Sequence, residues 1–153
     1  MPVTVSLSDV IEALELQTDN TSCAFVNRQT GEVLTCDDEQ IRVAEAEADG
    51  VAPQWMQPEL PKIREALAGG PWLPLPTKFD IHEWEMMRQF ADEQRNEKVG
   101  RELNAAIHGT GAFRCFRETL SRLGIEEQWY RFRDRQFEEM AKEWITENGF
   151  SFR

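Results

Sequence analysis

Apolar residues recur at helical spacing through the last third of the chain and alternate only briefly near its start. Phe113, Phe116, Leu120 and Leu123 repeat every three or four positions and predict a helix over 112–123. Gly111 precedes this helix and Gly124 closes it. A longer stripe, Trp129, Phe132, Phe137, Met140, Ala141 and Trp144, predicts a helix from about residue 125 to 147. Upstream, Ile81, Trp84, Met87 and Phe90 or Ala91 mark an apolar face, with Asp80 as the expected cap. Val99, Leu103, Ala106 and Ile107 mark a further helix, ended by Gly109.

The front of the chain reads differently. Ser6 and Ser8 offer caps for a short helix through Val10, Ile11, Leu14 and Leu16. The run SCAFVNRQTGEVLTC holds two β-prone stretches around a loop near Arg28 to Gly31, where Gly31 can take positive φ. A four-residue loop sets Asn27 opposite Glu32, Phe25 opposite Leu34 and Cys23 opposite Cys36. Ala24, Val26, Val33 and Thr35 then fall on the other face. Asp37 or Asp38 caps a short acidic helix that ends at Gly50, and residues 51–61 are a proline-bearing connector. Ile63 to Leu67 fit a helix stopped by Gly69 and Gly70. The prolines of PWLPLP keep that segment extended, so Trp72 and Leu73 suit an edge strand beside the hairpin, giving three strands at most.

The expected fold is α+β. A small antiparallel hairpin or three-stranded sheet with N-terminal helices is followed by a C-terminal bundle of about four helices. At 153 residues we expect a single domain over 1–153, with an acidic α/β part (1–76) and a helical part (77–153) sharing one core.

Charge sharpens this division. The chain carries 17 basic and 28 acidic residues, net −11. Residues 1–60 hold 2 basic and 12 acidic residues, whereas residues 61–153 hold 15 and 16. That acidity disfavours nucleic acid and anionic lipid at long range. No run approaches the ~18 apolar residues needed to cross a bilayer. Asp9 and Glu12 stand where a secretory leader would be basic, so a cytoplasmic location without membrane attachment is expected. Three scattered cysteines, Cys23, Cys36 and Cys115, argue against a disulfide framework or a structural zinc site. A cross-strand Cys23–Cys36 pair leaves oxidation open as a minor reading.

Two features carry candidate binding chemistry. Gly109, Thr110 and Gly111 precede the 112–123 helix, where backbone N–H groups and the helix dipole suit an anion. Arg114 and Arg117 stand close in sequence. The spacing matches neither common nucleotide fingerprint, and a tight turn between helices calls for the same glycines. The second feature is an arginine-bearing surface. Arg114, Arg117, Arg122, Arg131, Arg133 and Arg135 are interleaved with the aromatic stripe. Aromatics at core spacing are expected inside and guanidinium groups outside. The arginines then pair with the acids of the N-terminal half, bind an acidic protein partner, or contact nucleic acid.

Catalytic and metal signatures are not found. His82, Glu83 and Glu85 begin like a zinc HExxH motif, but Met86 stands where the second histidine belongs. Cys115 and His108 form a nucleophile–base pair only if their contact is assumed. We therefore expect no catalytic residue, no metal and no cofactor.

The segments AIHGTGAFRCFRETL, WYRFRDRQF and AKEWITENG are similar to a bacterial protein family of unknown function. The hairpin CAFVNRQTGEVL and the WLPLP segment extend the likeness upstream. The resemblance implies a small bacterial cytoplasmic domain and supplies no activity or catalytic residue. Cys115 stands where the resemblance leads us to expect a basic residue, which weakens the positive cluster. The leading expectation is a non-enzymatic interaction module that binds an acidic macromolecular partner. Arg114, Arg117, Arg131 and Arg135 are the contact residues. The alternative is phosphate, nucleotide or RNA binding at Gly109–Gly111. The sequence leaves the oligomeric state open.

Overall fold

The computed structural model describes residues 2–19, 23–46, 54–55, 57–77 and 80–153. Among these the chain is mixed α+β and helix-rich, with seven helices and five short strands. It divides into two compact units, residues 1–81 with 139–153, and residues 82–138.

The first unit opens with β1 (Thr4–Val5) and α1 (Leu7–Asp19). Ser6 caps α1, its Oγ accepting the Asp9 N–H at 3.3 Å. β2 (Cys23–Asn27) and β3 (Val33–Cys36) form the hairpin in the register derived from the loop length, with Cys23 opposite Cys36 and Phe25 opposite Leu34. Gly31 closes the turn at φ +78°, and a Cβ there would sit 2.3 Å from the Thr4 carbonyl oxygen. Only glycine meets both conditions. Asn27 holds the turn from inside, its Oδ1 accepting the N–H groups of Gln29 and Thr30 at 2.8 and 3.1 Å.

α2 (Asp38–Ala46) starts on a reciprocal cap. Asp37 accepts the Gln40 N–H at 2.8 Å, and the Gln40 side chain accepts the Asp37 N–H at 2.9 Å. Asp37 is therefore the cap and Asp38 the first helical residue. The expected stop at Gly50 lies outside the described residues. α3 (Leu60–Leu67) begins three residues before Ile63, with a proline in its first turn, where the missing N–H costs nothing. β4 (Trp72–Pro74) pairs antiparallel with β2, giving the order β3-β2-β4. One face of the sheet buries Phe25, Leu34 and Cys36 with Ala44, Leu60, Ile63, Ala66 and Trp72.

The sheet has the three strands expected of the hairpin and its edge strand, and β5 (Ser151–Phe152) adds a separate pair that was not expected. It pairs in parallel with β1, Thr4 with Ser151 and Val5 with Phe152. Ser151 and Arg153 donate to the carbonyls of Val3 and Val5 at 2.9 and 3.2 Å.

The second unit holds α4 (Glu83–Asp92), α5 (Glu97–Ile107), α6 (Ala112–Leu123) and the start of α7 (Glu126–Glu147). Asp80 does not cap α4. Its carboxylate accepts the Thr77 N–H at 3.0 Å, and the helix begins after His82 without a side-chain cap. Asn96 caps α5, accepting from the Lys98 and Val99 N–H groups at 2.9 and 3.3 Å. Phe90, Phe116, Trp129 and Phe132 form one aromatic cluster, with ring centroids 4.9–6.3 Å apart and mostly edge-to-face. Phe113 departs from the expected buried stripe and is 48% exposed.

Truncation of Phe116→Ala is expected to cost about 3–5 kcal/mol. Loss of the reciprocal cap in Asp37→Ala should cost about 1 kcal/mol. Urea unfolding followed by circular dichroism checks both values.

Candidate functional site

The Gly109–Gly111 turn links α5 to α6. Gly109 and Thr110 are exposed. Gly111 takes φ +72° and leads directly into α6 without a side-chain cap. The first N–H groups of α6 therefore have no intrahelical acceptor. Arg114 does not reach back to the turn. Its guanidinium pairs with Glu118, one turn downstream, at 3.7 Å. Arg117 is exposed and forms no ion pair with any described residue.

Arg131 and Arg135 are brought together. They lie one turn apart on α7 and line a cleft of about 280 Å³ with Phe90, Glu93, Gln94, Gln128 and Phe132. Phe90 and Phe132 are buried and floor the cleft from the aromatic cluster. Gln94 is fixed at its edge, donating to the Phe90 carbonyl at 3.0 Å. Arg131 pairs with Glu127. The Arg135 Nε donates to the Arg131 carbonyl at 3.4 Å, and Arg135 pairs with no acid among the described residues. The cleft thus offers cationic edges over an aromatic floor, with Glu93 as its one acid.

The remaining two arginines serve structure. Arg133 donates to Glu83 at 3.1 Å, with side-chain exposures of only 16% and 20%. Its guanidinium carbon lies 4.6 Å from the Phe137 ring centroid. Arg122 meets Glu102 at 3.5 Å. The expected counter-charges were those of residues 1–60. Those found for Arg114, Arg122 and Arg131 are Glu118, Glu102 and Glu127, all local to the helical unit.

Sequence reasoning did not single out Glu93, Gln94 and Gln128 as part of this cleft. Phe90 was read only as core. The signal was faint, because α4 and α7 meet across 40 residues and no local spacing announces it.

The residues considered for nucleophilic or metal chemistry hold separate local contacts. His108 Nδ1 contacts the Asn104 carbonyl and Cys115 Sγ the Thr110 carbonyl. Glu83 is engaged by Arg133, and Glu85 meets Arg88 at 3.5 Å. Among the described residues no group of three or more His, Cys, Asp or Glu is placed to hold a metal ion.

Cys23 and Cys36 are free thiols on facing strands. The Cys36 Sγ lies 3.6 Å from the Cys23 carbonyl. Burial first, then the neighbouring Cys23, pushes the Cys36 thiol up to about 12. Burial and Asp38 raise Cys23 as well. Both shifts favour the thiol over the thiolate, the opposite of what a reactive cysteine requires.

Comparison with protein-family models, curated proteins and solved structures finds no match to this chain.

Two outcomes follow from these contacts. A raised folded pKa means that the native state holds the Cys36 proton after the unfolded state has lost it. Its stabilising contribution is full below about pH 9 and falls as pH rises toward about 12. A pH series of urea melts should show a shallower decline for Cys36→Ala over that window. Separately, Arg133→Ala should lower stability by about 1–3 kcal/mol, whereas Arg117→Ala should stay within about 0.5 kcal/mol of wild type. Equal effects in thermal unfolding would contradict the assigned roles.

Proposed function

We propose that this protein is a non-enzymatic, cytoplasmic interaction module with a regulatory role. It binds an acidic protein partner through the arginine-bearing surface of α6 and α7. The observation that carries this reading is the α4–α7 cleft. Arg131 and Arg135 flank buried aromatic rings there, and Arg135 has no acidic partner among the described residues. A guanidinium held over an apolar floor suits a carboxylate-bearing side chain, because charge-assisted hydrogen bonds strengthen where water is partly excluded. Arg114 and Arg117 extend the positive surface along α6.

A second reading rests on the α6 N-terminus, where Gly111 leads into the helix with its first N–H groups free of side-chain caps. It takes a phosphate group of a nucleotide or RNA as ligand. Arg114 contributes little there, since it is turned toward Glu118.

The test is a pull-down with the wild type and with the Arg114, Arg117, Arg131 and Arg135→Ala quadruple variant. A protein retained by the wild type and lost by the variant is expected, released as salt is raised. Identical partner sets, or none, would overturn the proposal. A thermal-shift screen with nucleotides separates the second reading. A ligand at ~100 times its Kd should add roughly 2.7 kcal/mol of stability.

A further inference from the structure

We propose that the open edge of β3, with the groove beside it, receives an extended basic segment of another polypeptide as a fourth strand. This surface belongs to the first unit and does not depend on the arginine cleft.

The ladder decides which backbone groups are free. The Asn27 N–H donates to the Glu32 carbonyl at 2.8 Å, so residues 32, 34 and 36 turn their backbone groups toward β2. On its other side β2 bonds β4. The Ala24 carbonyl accepts from Leu75, and the Arg28 N–H donates to Pro71, at 2.8 and 2.6 Å. The N–H and C=O groups of Val33 and Thr35 therefore point away from the sheet. No described residue bonds to them. Thr35 is exposed and Val33 half-buried.

A groove of about 200 Å³ runs along this edge, lined by Val33 and Thr35 with Asp9, Glu12, Ala13 and Leu16. The four α1 residues stand at i, i+3, i+4 and i+7, so one stripe of the helix faces the groove. Leu16 is 39% exposed there. Asp9 and Glu12 form no ion pair with any described residue. The groove thus joins an edge without a backbone partner among the described residues, an apolar contact, and two carboxylates that no described residue pairs.

Charge complementarity selects the occupant. The unit that carries the groove has 7 basic and 17 acidic residues, against 10 and 11 in the other unit. An added strand presents alternate side chains to the two faces of the sheet. Those on the α1 face meet Asp9 and Glu12, so lysine or arginine fits there. Those on the opposite face extend the apolar side that carries Leu34 and Cys36, so valine or isoleucine fits there.

The probe is a labelled six-residue peptide of alternating lysine and valine, titrated into the full chain by fluorescence anisotropy. Hydrogen exchange at the Val33 and Thr35 amides is followed by NMR. Expected results are saturable binding that weakens with salt, and slowed exchange at those two amides. An Asp9→Asn, Glu12→Gln double variant should bind roughly tenfold more weakly. Thr35→Pro removes an outward N–H at an edge position that tolerates proline, and should lose the peptide while keeping its circular dichroism spectrum. Should that variant fail to fold, exchange in the wild type still decides the matter. Peptide binding without protection of Val33 and Thr35 would overturn the proposal. Equal binding of an aspartate–valine peptide would do the same. Protection that rises with protein concentration alone would assign the edge to a second copy of this chain and sink the basic partner.

Discussion

The packing of aromatic rings in the helical unit is the constraint on which its surface depends. Phe90, Phe116, Trp129 and Phe132 meet mostly edge to face, in contacts that bring the positive rim of one ring to the negative face of the next. Once those rings define the inner faces of α6 and α7, helical geometry fixes where the arginines go. Arg114 falls on the far side of α6 from Phe116 and Leu120, at ~100° per residue, and Arg117 on the flank beside Leu120, both exposed. Arg131 and Arg135 border Phe132 instead, which is why they edge a cleft with an apolar floor while the α6 pair extends into open water. Arg133 is nearer the inside, and it is the one held over an aromatic ring and engaged by a half-buried acid.

The same angular reasoning shows what was legible in the sequence. The hairpin register came out residue for residue, because a four-residue loop leaves no freedom once its end is placed at Gly31. The stripe on α6 was read slightly too wide. The buried and half-buried positions 112, 115, 116, 119, 120 and 123 centre an arc from which Phe113 lies about 100° away. Spacing alone admits Phe113, whereas the inclusion of Thr119, with its hydroxyl donating to the Cys115 carbonyl at 2.8 Å, excludes it. On α7 a single stripe was expected. Trp129 and Phe132 lie on one side of the helix, and Phe137, Ala141 and Ile145 lie on another, about 150° around. A 22-residue helix can change its buried face along its length, and one periodicity fitted over the whole of it averages the two.

Other features had no local signal. The β1–β5 pair joins two-residue strands from the two ends of the sequence, and two residues show no alternation to detect. Asp80 has the residue type and position of a cap, yet its carboxylate is occupied by the Thr77 backbone, a competition that acids near turns often win. The candidate cleft was half legible. Its arginines were marked by composition, but their neighbours Glu93 and Gln94 come from the end of α4, and only tertiary structure joins them to α7.

Charge decides between the classes of partner. The first unit holds an excess of ten acids, and the described ion pairs of Arg114, Arg122 and Arg131 are local to the second. Among the described residues that acidity therefore forms no ion pair with Arg114, Arg122 or Arg131. Screening reduces its reach to about 8 Å at physiological salt. A compact acidic segment can meet Arg131 and Arg135 within that distance and gain contact energy there. A nucleic acid is a uniform polyanion many Debye lengths long, whose affinity grows with the number of phosphates neutralised. Four exposed arginines, two of them already paired to glutamates, supply few such contacts. The balance therefore supports the proposed protein partner for the arginine cleft, and Asp9 and Glu12, which pair with no described residue, support a basic one for the β3 edge.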